Sequence, residues 1–274
     1  MWNVQGRTLQ CGRAARLLPA LALAMLVGAC GGDVQVTVVG LPGAPKLYGA
    51  DGAQGNLSTL YQLDETTGAV VATIGPIGYA VTGLAVHPTS RNVYGVTGGV
   101  DPGFPGHLIA LDPGTGAVTL VGDQIVASNL GAADITFTTD GVLYGWSEAT
   151  DDLVTIDLAT GAATVVGDSV TGTAGSGLAA RFPGNTLHFV GSGSCGPLFT
   201  VDRSTGTLAA GPTLSGVDCS NINALAYRSD GTLYGVRNLG GTPPASELVI
   251  IDTATGLITV VGPSVDRLDA IAFF

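Results

Sequence analysis

From residue 46 to the C-terminus, apolar residues come in runs of five or six bounded by turn residues, with no helical period. Between 82 and 122 these runs fall at about 82–87, 92–97, 107–112 and 117–122 and are rich in Val, Ile, Leu and Thr. That is strand spacing. The same pattern then returns. "LDPGTGAVTLVGD" at Leu111–Asp123 reappears as "IDLATGAATVVGD" at Ile156–Asp168, 45 residues on.

Three short words carry the repeat. "LYG" or a relative places Tyr48, Tyr94, Tyr144, His188 and Tyr234 at steps of 46, 50, 44 and 46. An Asp-x-x-Thr-Gly frame starts at Asp64, Asp112, Asp157, Asp202 and Asp252. An alanine-rich word reads "GLAVHP", "DITFTT", "GLAARF", "ALAYRS" and "AIAFF". Four antiparallel strands per 44–50 residues describe a propeller blade, so the expected fold is all-β, a five-bladed β-propeller. The alanine-rich strand sets a small column (Ala85, Thr136, Ala179, Ala226, Ala272) against a large one (Leu84, Ile135, Leu178, Leu225, Ile271). Small against large suits the crowded axis, so this strand is expected innermost. Unit one lacks it, and the chain ends with it. The C-terminal strand should therefore complete the first blade, with "VQVTVV" (Val34–Val39) as the rival. Residues 46–274 are similar in pattern to bacterial propeller repeats of the WD40-like, NHL and YVTN kinds, a resemblance that implies the fold and assigns no activity.

In "DPGT", Pro113 presets a type I turn, the Asp accepts backbone N–H groups, and the closing glycine supplies positive φ. These aspartates read as turn formers. With strands A to D running outward from the axis, A–B and C–D turns share one face, which is short and regular. The B–C and D–A loops share the other, where every irregular loop collects. A binding site is expected there, on loops held by a rigid scaffold.

The first thirty residues differ in kind. Arg7, Arg13 and Arg16 precede an apolar run from Leu17 to Ala29, which is too short to span a bilayer. "LVGAC" then ends at Cys30 and resembles the bacterial lipobox. That resemblance implies cleavage before Cys30 and lipidation of its thiol, so the domains read as signal peptide 1–29, tether 30–45 and propeller 46–274, and the protein as exported and membrane-held. Ordinary signal cleavage is the alternative.

Composition narrows the partners. The formal charge of −11 falls to −14 once residues 1–29 are set aside, and Lys46 is the single lysine. Such a surface repels nucleic acid. With 46% hydrophobic and 11% charged residues the chain is not a disordered one, despite 43 glycines. A monomer that binds a protein or glycan is the expectation.

Candidate chemistry is sparse. His87, His107 and His188 sit at different places in their blades and do not converge; no zinc spacing, nucleophile elbow, phosphate loop or cofactor motif is present. Two candidate sites remain. One is the loop with Trp146, Glu148, Asp151 and Asp152, matched two blades on by Arg237 and Asn238: an exposed Trp beside carboxylates suits sugar stacking or calcium, whereas a buried Trp would be packing. The other is the axial mouth, where Thr82, Ala133, Ser176, Asn223 and Asp269 form a column with Asp134 beside it. Asp134 and Asp269 are the one carboxylate pair placed for a glycan lyase or hydrolase. Cys195 and Cys219 both fall in irregular-face loops of the fourth blade and are expected to form a disulfide, offsetting weaker packing where His188 and Phe189 depart from the repeat.

Overall fold

A computed structural model describes residues 45–52, 55–125, 132–147, 150–169, 175–191, 193 and 195–274. Its twenty strands form five four-stranded antiparallel sheets around one axis. The innermost strands are β4 (Val81–Val86), β8 (Ala132–Phe137), β12 (Gly175–Arg181), β16 (Ile222–Tyr227) and β20 (Leu268–Phe273). Each heads a sheet whose order outward is β4, β5 (Val93–Thr97), β6 (His107–Leu111), β7 (Val118–Ile125); β8, β9 (Leu143–Ser147), β10 (Asp152–Ile156), β11 (Ala163–Asp168); β12, β13 (Thr186–Gly191), β14 (Pro197–Val201), β15 (Leu208–Thr213); β16, β17 (Leu233–Gly241), β18 (Pro244–Ile251), β19 (Ile258–Pro263); or β20, β1 (Leu47–Asp51), β2 (Thr59–Leu63), β3 (Val70–Pro76). The alanine-rich word is thus the inner strand of every blade.

Ring closure is made by the chain's end. β20 pairs with β1 (Leu47–Asp51), with Tyr48 opposite Ala272 and Gly49 opposite Ile271. Lys46 and Phe274 exchange backbone bonds of 3.1 and 2.8 Å at its foot. Closure covers the inner edge of β1, which would otherwise stand open to a foreign strand.

The five turn words behave alike. The Oδ1 atoms of Asp64, Asp112, Asp157, Asp202 and Asp252 accept backbone N–H groups two residues on at 2.7–3.0 Å. The closing glycines have φ of 75–78°. Each turn also docks on the outer strand of the preceding blade. A Cβ on Gly75, Gly122, Gly167 or Gly262 would lie 1.9–2.3 Å from the carbonyl oxygen of Thr115, Thr160, Thr205 or Thr67. That contact explains why "TG" and "VG" recur together. Blade four has Pro212 where the second glycine is due, and its seam to blade five is held by Ser215 instead, which bonds Gly256 and Ile258 at 3.0 and 2.8 Å.

The core lies between blades. Leu84, Ile135, Leu178, Leu225 and Ile271 are all buried. The glycine of "LYG" leaves room for aliphatic neighbours; a Cβ on Gly49 would sit 2.7 Å from Leu268. Blade four carries Phe189 in that slot, wholly buried and stacked on Trp146 of blade three with ring centroids 4.0 Å apart. The weaker packing expected of blade four is therefore not found. His188 is equally well used: Tyr227 of blade five hydrogen-bonds its Nδ1 at 2.9 Å, and burial lowers the imidazole pKa to about 4.

Candidate functional site: the axis and the irregular face

Inner-strand register decides what faces the axis. His87, Thr138, Arg228 and Phe274 donate to strand B just beyond the inner strands. Ladder bonds alternate, so residues at the positions of Val86 and Leu84, and their counterparts, turn N–H and C=O away from strand B toward the axis. Asp134 meets this ring. Its position is glycine or alanine in the other blades (Gly83, Gly177, Ala224, Ala270). Its Oδ2 accepts Leu178 N–H at 3.0 Å from blade four and Leu225 N–H at 3.1 Å from blade five; Oδ1 accepts Ile135 N–H at 2.8 Å. The side chain is wholly buried. Burial drives its pKa well above the usual aspartate value; the three N–H groups pull it back in part and the charge of Asp269 adds to the rise.

Around Asp134 the polar column is knit between blades. Asn223 Nδ2 donates to Asp269 Oδ1 at 3.1 Å, and Thr82 Oγ1 donates to Ala132 O at 2.8 Å. Thr136 Oγ1 accepts Ala180 N–H at 3.0 Å. Toward the regular face an open recess is lined by the inner strands, with Phe137, Phe182, Tyr227 and Phe273 around it.

The other residues named from sequence are placed as follows. Trp146 is fully buried and packs on Phe189, so it is not the exposed stacking platform that the loop reading needs. Asp151 and Asp152 lie at the start of β10 (Asp152–Ile156), where burial and then the charges of Asp168 and Asp152 raise the Asp151 pKa. Arg237 pairs with Glu247 across the β17–β18 hairpin and donates to Asp218 O at 3.2 Å. Asn238 is buried and accepts Ser246 Oγ–H at 2.6 Å. Asn238 therefore braces its own hairpin, and Arg237 also ties that hairpin to the loop carrying Asp218. Glu148 and Cys30 lie outside the described residues. Cys195 and Cys219 are joined by a disulfide with Cα atoms 4.9 Å apart. Among the described residues no group of three or more His, Cys, Asp or Glu could hold a metal ion.

Sequence reasoning missed the loop between β5 (Val93–Thr97) and β6 (His107–Leu111). It winds around Asp101, whose buried carboxylate accepts Ala80 N–H at 2.6 Å, Gly103 N–H at 2.8 Å and Phe104 N–H at 2.7 Å. Thr97 Oγ1 binds Phe104 O and accepts His107 N–H at 2.8 Å. The loop so fixed holds Phe104 edge-on between Tyr79 and His107, with centroids 5.8 and 5.5 Å apart. Phe104 is 41% exposed, Val100 70% and Leu57 of the neighbouring blade-one loop 57%. Gly55 touches Val100, so the two loops meet. The sequence signal is the aspartate followed by Pro and Gly in "GGVDPGFPGH", one of the irregular loops of this face. The acids of this face include Asp51, Asp152, Asp218 and Asp266, against the arginines Arg237 and Arg267.

The comparisons with known proteins give the fold alone. A chain of a nidogen–laminin complex matches 84% of this chain and 98% of its own length at 13% identity and TM-score 0.55. A gluconolactonase from Xanthomonas campestris matches over 83% of this chain and 79% of its own, at 12% identity and TM-score 0.52. A protein of unknown function from Bacteroides thetaiotaomicron matches over 69% of this chain and 53% of its own, at 16% identity and TM-score 0.50. No family model matches the chain, and no curated protein does.

Proposed function

We propose that this chain is an exported binding module, tethered through lipid on Cys30, that takes its partner on the irregular face over blades one and two. The observation that carries this reading is the rigid apolar patch of Leu57, Val100 and Phe104, backed by Tyr79 and His107 and fixed from beneath by Asp101. Exposed aromatic and aliphatic side chains on a pre-ordered loop bind without a large ordering cost. The acids around the face favour a protein segment that pairs apolar residues with cationic ones. The described chain enters the ring at Lys46, beside Phe274 on the regular face. The disulfide fits an oxidising, exported setting.

The enzymatic alternative asks Asp134 and Asp269 to act as a glycan-cleaving pair. Asp134 spends its oxygens on three backbone N–H groups, and Asp269 binds Asn223, so the geometry supports binding better than catalysis. The test is a glycan array and an immobilised envelope-protein extract, both probed with wild type, Phe104→Ser/Val100→Ser and the outer-strand control Val71→Ser. The patch variant should lose at least about tenfold in partner affinity, which is roughly 1.4 kcal/mol, while Val71→Ser binds as wild type. Equal binding by all three rejects the patch. Mass spectrometry of the mature N-terminus reads the tether separately; an unmodified Cys30 rejects it.

A further inference from the structure

We infer that the propeller axis is a carboxylate-binding site, built from inward-facing backbone N–H groups, which the chain fills from within by Asp134. Inner-strand register turns the N–H groups of Leu84, Ile135, Leu178, Leu225 and Ile271 to one level of the axis. Asp134 takes three of them, one each from blades three, four and five.

In two sibling blades the same position lies against the next blade's donor but is too close to it to hold a side chain without a shift. A Cβ built on Gly83 would lie 2.9 Å from Ile135 N, and one on Gly177 would lie 3.1 Å from Leu225 N. In blades two, three and four this position therefore faces the next blade's donor, and in blade three alone of these a side chain occupies it. Only blade three of the five places an acid there; the others have Gly or Ala. Two oxygens on one planar group suit donors that converge from separate blades. A single-atom anion reaches fewer of them, and a cation meets donors of its own sign. The site's ligand class is thus a small planar carboxylate, and Asp134 is its built-in occupant.

Chemical rescue tests this on the full chain. Asp134→Ala removes the occupant and leaves the donors. Its melting temperature should fall, and sodium formate should restore about 4 °C of it, saturably, which corresponds to formate near ten times its dissociation constant. Wild type should gain no such increment, and neither protein should respond to sodium chloride or methylammonium at equal ionic strength. An equal response of both proteins to formate, or an Asp134→Ala protein as stable as wild type, overturns the inference. Should Asp134→Ala fail to fold alone, refolding in formate reads the same site. Recovery in formate and not in chloride supports it. Failure to refold in formate, as in chloride, overturns it.

Discussion

The seam between blades three and four differs from the seam between blades one and two. At the first, side chains that break the repeat meet one another. Asp134 reaches Leu178, Thr136 reaches Ala180, Trp146 stacks on Phe189, and Asn185 exchanges bonds of 2.8 and 2.7 Å with Thr139. At the second, the described ties follow the backbone more than side chains that break the repeat: Val81 N–H donates to Ser58 Oγ at 2.9 Å, Ser58 N–H to Tyr79 O at 2.8 Å, the loops of Gly55 and Val100 meet, and Arg91 lies 4.5 Å over the Phe274 ring. Both seams keep the repeat's own contact, the threonine carbonyl of one blade against a glycine of the preceding one. Five near-identical units can associate in more than one order. Contacts that only one pair of blades can make distinguish the native ring from its shifted alternatives. The repeat supplies the shape, and its exceptions supply the uniqueness.

The largest test of that contrast returns blade four to the repeat. Phe189→Gly deletes a fully buried ring from under Trp146 and should cost about 4 kcal/mol in chemical denaturation. Combining it with Trp146→Val, the residue type found at Val96, Val190 and Val236, should cost less than the sum of the two single changes, because the rings stack on each other. Additive losses would mean that the two exceptions do not depend on one another.

The axis and the rim should next separate by pH. Asp134 has a pKa raised by burial, so its titration contributes stability that is fully present below the ordinary value of 3.8 and lost as pH rises through the folded value. The turn acids Asp64, Asp157, Asp202 and Asp252 have pKa values lowered by their hydroxyl and N–H donors. Their contribution is present above 3.8 and lost as pH falls below it. Melting temperatures of wild type and Asp134→Asn, followed upward from pH 4, should therefore draw together. A gap that widens with pH would show that the N–H groups outweigh burial and that the folded pKa is not raised.

Gly167→Ala tests what four of the five seams share. Its new Cβ would stand 1.9 Å from Thr205 O, backbone that cannot swing aside, and about 2 kcal/mol should be lost. Gly184→Ala, with φ of 108° and open space around it, carries backbone strain alone and should cost about half as much.

Fold and site were unequally legible in the sequence. Strand periodicity, the turn aspartates and the final "AIAFF" fixed the blade count and the closing strand, because each depends on local chemistry repeated five times. Exceptions were harder. Trp146 and Phe189 each stood out as anomalies, yet their partnership requires knowing that adjacent blades bring those two columns face to face. Asp134 was visible as an acid near the mouth; its three N–H partners lie 1, 44 and 91 residues away. The Phe104 patch was hidden for another reason. Its scaffold is a carboxylate serving backbone donors, and a turn aspartate looks the same in sequence whether it closes a routine turn or builds a display loop.

The smallest expected effect sharpens the comparison most cleanly. Thr136→Ala gives blade three the alanine that its siblings carry and changes little volume. What it removes is the hydroxyl that accepts Ala180 N–H across the seam, in a column where Ala85, Ala179, Ala226 and Ala272 offer no such acceptor. If the seam's uniqueness rests on such bonds, the change should cost about 1 kcal/mol, the net worth of one buried hydrogen bond, and Thr136→Ser should recover most of it. Hydrogen exchange at Ala180 N–H should quicken in Thr136→Ala and return toward the wild-type rate in Thr136→Ser. Unchanged exchange in the alanine variant would show that this donor is satisfied without blade three, and that the seam's distinction narrows to the carboxylate and the two rings.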